Sequence, residues 1–358
     1  MIQTEVIVDE ELCHGCGYCV QFCPRGCLDL PGEQPGPMYS GYEIAKFVHA
    51  ERCNACGICT RMCPCGAMEV YLSIKDPAKV TTREKVAGIP RLLSSLGFGD
   101  CVGCQKATVG RMIADVLEEL GLEGKFMGLD AVRCNSSSAF GGDFHITIER
   151  ENKPVNLHGA CSKGISTIDL YDDPISRALE LKRAHPDAVV FVVQDTAKLD
   201  AIGIDSFEKG LMRGGNITVI DCNELIYRGD PSKEQIAPPA SPVNSPERRN
   251  LIVGKDPLHL AERAATFSGV SYSARGAITS PDDYERTKRY IRTAFQKQMT
   301  NPGTSFVEVL CACFAQAYES PWDTLKWIHE KVVAELPLLE FKNADQMKQA
   351  NECKPRGV

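Results

Sequence analysis

Ala188-Val189-Val190-Phe191-Val192-Val193 is an unbroken apolar run, mostly β-branched. A strand with one wetted face alternates apolar and polar residues. A continuous run of this length reads instead as a strand buried on both faces, the pattern of parallel sheets covered by helices. The flanks agree: Ile204 to Met212 has helical spacing, and Ile217 to Ile220 is the next short apolar run. Strand, helix and strand in that order signal a parallel sheet. Further out, residues 105–121 place Val109, Met112, Ile113, Val116, Leu117 and Leu120 on one helical face. His259–Phe267, Pro281–Gln298 and Pro321–Leu336 read as helices, and Phe306–Leu310 as a strand. Residues 228–248 hold five prolines among polar neighbours and read as a surface excursion.

The N-terminal part follows other rules. Cys13-His-Gly-Cys16-Gly-Tyr-Cys19-Val-Gln-Phe-Cys23-Pro24 is repeated as Cys53-Asn-Ala-Cys56-Gly-Ile-Cys59-Thr-Arg-Met-Cys63-Pro64. Both copies are C-x2-C-x2-C-x3-C-P. Three close cysteines hold three corners of a [4Fe–4S] cube and a remote one closes it. In the two-cluster pattern the fourth cysteine of each run serves the other cluster. The ligand sets are therefore Cys13, Cys16, Cys19 and Cys63 for the first cluster, and Cys53, Cys56, Cys59 and Cys23 for the second. A pair of zinc sites is the bland alternative, but zinc usually takes two C-x2-C pairs rather than this run twice. This part resembles bacterial dicluster ferredoxins, with a longer insert between the runs. Cys27 and Cys65 are extra thiols, read as structural. The fold class expected for the chain is thus α/β, a parallel sheet with helices, plus a small α+β ferredoxin-like domain.

The chain has 358 residues, 18 cysteines and a formal net charge of −7. Ten cysteines fall in the first 65 residues. A chain this long is no disulfide mini-protein, and its acidity argues against nucleic acid as a partner. No apolar run reaches the ~18 residues of a membrane span, and the N-terminus has no secretory pattern. The expected location is cytoplasmic, where thiols serve metals rather than disulfides. No Gly-x-Gly-x-x-Gly or Walker motif is present, which argues against nicotinamide and ATP.

A second cysteine set begins at Cys101-Val-Gly-Cys104, with Cys134 in Arg133-Cys134-Asn-Ser and Cys313 in Val-Leu-Cys311-Ala-Cys313. Spacing alone fits a buried C-x2-C with two stray thiols equally well. In their order and surroundings, however, residues 95–343 resemble the β (thiamine-diphosphate) subunit of 2-oxoacid:ferredoxin oxidoreductases. The matching segments include His158-Gly159, His185-Pro-Asp-Ala-Val-Val-Phe-Val-Val193, Ser305-Phe-Val-Glu-Val-Leu310 and Ser320-Pro-Trp-Asp-Thr-Leu-Lys-Trp327. The resemblance implies a third [4Fe–4S] cluster on Cys101, Cys104, Cys134 and Cys313, with Cys311 as the fallback for Cys313. The domains expected are 1–75 (dicluster), 76–94 (connector), 95–343 (the β-like domain) and 344–358 (tail).

The family anchors thiamine diphosphate through Mg²⁺, a cation that takes oxygen ligands. Its Gly-Asp-Gly element is here Gln194-Asp195-Thr196-Ala197. Both glycines are missing, and the ungapped match puts Thr196 at the family's Asp. The next element offers Asn223 or Glu224, and His158 would face the diphosphate. Two readings stay open. In one, Asp195 with Asn223 or Glu224 still holds Mg²⁺ and thiamine diphosphate. In the other, the site is degenerate and the chain carries electrons only. The resemblance implies an oxidoreductase subunit. A 2-oxoacid is decarboxylated on thiamine diphosphate, coenzyme A accepts the acyl group, and electrons leave through the clusters. The expected partners are other subunits of the complex and ferredoxin or another redox carrier.

Overall fold

The computed structural model describes residues 2–32, 43–74, 82–90, 103–131, 147–150, 153–156, 165–167, 173–195, 199, 203–225, 259–300, 303–311 and 321–344. In the N-terminal part, strand β1 (Ile2–Val8) pairs antiparallel with β4 (Met68–Ile74). A third strand, β5 (Thr82–Ala87), pairs with the other edge of β4. The stretch expected as a connector therefore supplies a strand to this sheet. Two short helices, α1 (Tyr18–Gln21) and α2 (Ile58–Met62), each contain the third cysteine of their run, Cys19 and Cys59. Short strands β2 (Leu28–Asp29) and β3 (Lys46–Phe47) pair with each other.

The larger part holds, among the described residues, a seven-stranded sheet. Its strands are β6 (Phe126–Ala131), β9 (Ile165–Thr167), β10 (Val189–Asp195), β11 (Thr218–Asn223), β12 (Val270–Ala277), β13 (Thr304–Leu310) and β14 (Glu340–Asn343). A separate hairpin joins β7 (Thr147–Arg150) to β8 (Lys153–Asn156). The order in the large sheet is β14-β12-β13-β11-β10-β6-β9, parallel except for edge strand β14. Every residue of β10 is buried, as its unbroken apolar run requires.

Side chains from alternate positions of the strands serve two cores. Val190, Val192, Val219 and Phe306 face α4 (Pro174–Ala184), α5 (Ile204–Met212) and α6 (Leu260–Thr266). Phe191, Val193, Ile220 and Val307 face α3 (Gln105–Glu119) and α7 (Pro281–Thr300). Helices on both faces of a parallel sheet make the α/β layers expected from sequence. Helix α8 (Pro321–Trp327) continues through a π-type turn, Ile328–Val332, into α9 (Val333–Glu335).

Helix α3 is buried almost all round, including Gln105, Lys106, Thr108 and Arg111 on the side that an amphipathic helix leaves wet. Gln105 and Lys106 are covered by the α/β domain itself, and the N-terminal module covers Arg111. Tyr18, Phe22 and Met62 join the core formed by α3, α7 and α8. Phe22 meets Trp322 edge-on with ring centroids 5.6 Å apart. Arg111 donates to the carbonyls of Thr60 and Gly88. The two domains are thus one packed body, with α3 between them.

Candidate redox and strand-end sites

The sequence repeat is also a conformational repeat. Gly15 and Ala55 both have positive φ (64° and 57°), as do Gly17 and Gly57 (78° and 70°). Alternating left- and right-handed residues turn successive N–H groups to one side, forming an anion-binding concavity. The sulfurs lie where those donors point. Cys13 accepts backbone hydrogen bonds from Gly15 and Ala45, Cys16 from Tyr18, and Cys59 from Thr60. Cys27 N–H donates to Cys23 Sγ at 3.3 Å. Hydrogen bonds of this kind stabilise anionic sulfur, as a cluster-bound thiolate requires.

The thiols sort into two neighbourhoods. Cys19 lies within electrostatic reach of Cys16 and Cys13, and Cys65 Sγ is 3.5 Å from Cys63 Sγ. Cys59 has Cys56, Cys53 and Cys23 as charge neighbours. Cys19 and Cys59 are also charge neighbours of each other, so the two cysteine runs lie close together. The two extra thiols lie among them. Cys65 stands beside Cys63, and Cys27 beside Cys23 and Cys53. Among the described residues no three His, Cys, Asp or Glu side chains converge on a single metal ion. The donor set, the concavities and the sulfur hydrogen bonds fit an iron–sulfur cube, whose corners are spread wider than the ligands of one ion.

The two neighbourhoods differ in exposure. Cys16, Cys19 and Cys63 are buried, whereas Cys56 is exposed and Cys23 and Cys53 are half-buried. Cys23, Cys53, Cys56 and Cys59 of the second set themselves line one recess, together with Cys27, Pro24, Arg25 and Asn54.

Of the third expected set, Cys101, Cys134 and Cys313 lie outside the described residues, as does His158. Cys104 is half-buried and is the N-cap of α3, where the helix dipole favours a thiolate. Tyr18, from the Cys16–Cys19 loop, is buried and donates its hydroxyl to the Gly103 carbonyl at 3.3 Å. The fallback Cys311 is fully buried, and its side chain is hydrogen-bonded to that of Cys222.

At the carboxyl ends of β10 and β11 the three expected cation ligands all have other partners. Asp195 Oδ2 and Glu224 Oε1 each lie 2.6 Å from Lys106 Nζ. Asn223 Nδ2 donates to Glu308 Oε1 at 2.8 Å, and Asn223 Oδ1 accepts the Leu225 N–H at 3.1 Å. Glu308 in turn pairs with the buried Arg275 at 2.8 Å. Burial pushes the neighbouring Asp221 carboxyl up to about 8, helped by the charges of Glu308, Asp195 and Glu224 and opposed by a hydrogen bond from Gln194. These residues do not fit a Mg²⁺-anchored diphosphate. Sequence reading missed Lys106. The available signal was a cation in the first turn of a helix, where the macrodipole disfavours it.

Comparison with known proteins gives each part a context. The model of the 4Fe-4S dicluster domain matches residues 12–67. Over 248 residues, 68 % of this chain, the sequence is 23 % identical to the ketoisovalerate oxidoreductase subunit VorA of Methanothermobacter thermautotrophicus. The VorA of Methanothermobacter marburgensis is 22 % identical over the same length. The chain spans about half the length of these relatives, 47 % in each case. A 2-oxoglutarate:ferredoxin oxidoreductase from Magnetococcus marinus, solved with 2-oxoglutarate, coenzyme A and succinyl-CoA, aligns over 74 % of this chain and 89 % of that one. The TM-score is 0.47 and the identity 14 %. Among the described residues no helix is long and apolar enough to cross a membrane. Residues 12–67 are a 4Fe-4S dicluster domain, joined to a parallel-sheet α/β domain in a chain similar in sequence to 2-oxoacid oxidoreductase subunits.

Proposed function

We propose that this chain is the iron–sulfur, electron-transfer subunit of a 2-oxoacid:ferredoxin oxidoreductase-like complex, with the β-type α/β domain at 95–343. The observation that supports this reading is the buried contact of Tyr18, between Cys16 and Cys19, with Gly103, the residue before Cys104. Bound clusters supply one-electron transfer. The chain supplies their spacing, their sulfur hydrogen bonds and their insulation from water. In this reading Cys101, Cys104, Cys134 and Cys313 hold the third cluster. Electrons enter there from the decarboxylation of a 2-oxoacid and reach the first set (Cys13, Cys16, Cys19, Cys63). They would pass to the second set (Cys53, Cys56, Cys59, Cys23), whose exposed Cys56 would face ferredoxin or another carrier. Other subunits complete the complex, with coenzyme A as acyl acceptor.

The reading in which this chain itself holds thiamine diphosphate on Asp195, Asn223 or Glu224, and His158 keeps the support of sequence order. The partners of Asp195, Asn223 and Glu224 weigh against it.

Metal, acid-labile sulfide and thiamine diphosphate analysis of the anaerobically purified protein tests the proposal. About twelve iron atoms per chain, with reduced-cluster EPR signals, is the expected result. About eight would remove the third cluster, and zinc without visible cluster absorption would overturn the reading.

A further inference from the structure

Three carboxylic acids, Asp195, Asp221 and Glu224, are buried together where β10 and β11 end. Ligands of open α/β sheets bind at this edge. Buried carboxylates need a counter-charge, because desolvation of an unpaired ion costs several kcal/mol. The counter-charge here is covalently part of the chain. Lys106 is 3 % exposed and reaches Asp195 and Glu224 at 2.6 Å each. Its ammonium has three donors and no acceptor, so it binds oxygens as a small cation does. Its place in the first turn of α3 runs against the helix macrodipole, so the helix gains nothing from a cation there. The two carboxylates supply the reason. Asn223 is turned away from this cation, with its amide committed to Glu308 and Leu225.

We propose that the Lys106 ammonium is the resident cation of the strand-end site, bridging Asp195 and Glu224 where a divalent metal would otherwise sit. The site is closed by the chain's own side chain and takes up neither Mg²⁺ nor, through it, a diphosphate. The same bridge pins the start of α3, two residues after Cys104, to the sheet. The inference stands apart from the electron-transfer proposal, since it concerns cation binding and not the clusters.

The test is a Mn²⁺ titration of the holo chain, read by loss of the free-ion EPR signal at room temperature and by thermal unfolding. Wild type is expected to bind no Mn²⁺ that Asp195→Asn abolishes, to retain no thiamine diphosphate, and to unfold at a temperature indifferent to Mn²⁺ or Mg²⁺. Lys106→Ala should unfold at lower temperature, bind one Mn²⁺ at least tenfold more tightly than wild type, and recover stability with it. Adding Asp195→Asn should remove that binding. A stoichiometric Mn²⁺ or Mg²⁺ site in wild type that Asp195→Asn destroys overturns the proposal, and this arm needs no Lys106 variant to fold. Lys106→Ala that folds yet gains no Mn²⁺ affinity overturns it as well.

Discussion

The Tyr18 hydroxyl donates to the Gly103 carbonyl across the junction of the two domains, 85 residues apart in sequence. Tyr18 lies between Cys16 and Cys19, and Gly103 precedes Cys104, so one hydrogen bond ties the first cysteine loop to the start of α3. Tyr18→Phe keeps the ring and loses the bond, and should cost about 1 kcal/mol in denaturant unfolding while retaining all iron. Tyr18→Ala empties a fully buried site. It should cost about 3–5 kcal/mol and slow reduction of the dicluster module in stopped-flow experiments. Unchanged reduction kinetics in a folded Tyr18→Ala protein would count against transfer through this junction.

Cys65 is expected to tune the first cluster. With Cys63 bound to iron, the Cys65 thiol becomes the donor in their 3.5 Å contact. A hydrogen bond to a ligating sulfur favours the reduced cluster. Cys65→Ala should therefore leave the iron count intact and lower one midpoint potential by a few tens of millivolts in an EPR redox titration. Cys63→Ala should instead lose about four iron atoms.

Asp221 makes stability depend on pH. Its folded carboxyl holds its proton up to about pH 8, against an ordinary value of about 4 in the unfolded chain. Between those values the folded state binds the extra proton. Its contribution is therefore full below about pH 4 and lost as pH rises toward 8. Facing it are Gln194, Asp195, Glu224 and Glu308, with Lys106 behind the two nearer acids. Asp221→Asn mimics the protonated form. Its unfolding temperature should match wild type near pH 4 and exceed it by a growing margin up to about pH 8. A wild-type curve flat across that range would refute the assignment.

Arg275 is fully buried between Glu308 and Glu262. Glu308 also accepts from Asn223 and from the Ala261 N–H. Arg275→Met leaves the Glu308 carboxylate uncompensated inside the sheet and should cost about 3–5 kcal/mol in urea unfolding. The double variant Arg275→Met, Glu308→Gln should recover part of that loss.

Some of this was legible in sequence because the signal was local. The run at 188–193 needed no partner to declare a doubly buried strand, and the two cysteine runs carried their own turn glycines, Gly17 and Gly57. Strand β12 was not legible as a strand. Its residues Ser273 and Arg275 are polar, yet both are fully buried, because a helix carbonyl and two glutamates come to them from elsewhere in the chain. Lys106 failed for the same reason: nothing within α3 shows that two carboxylates from two strand ends await it. Of the candidate diphosphate residues, Asp195, Asn223 and Glu224 lie at the neighbouring ends of β10 and β11. The partners that occupy them are tertiary facts.

The unequal burial of the two thiol sets gives the module the character of a fuse. Dioxygen or peroxide arriving from bulk solvent meets exposed Cys56 before buried Cys16, which packs in the core shared with α3, or buried Cys19, which lies in the core of the N-terminal module. The outlying cluster is then the sacrificial element. With clusters bound as proposed, its loss would disconnect the chain from an external carrier while the inner iron remained, so oxidative injury would interrupt the circuit at its outermost point.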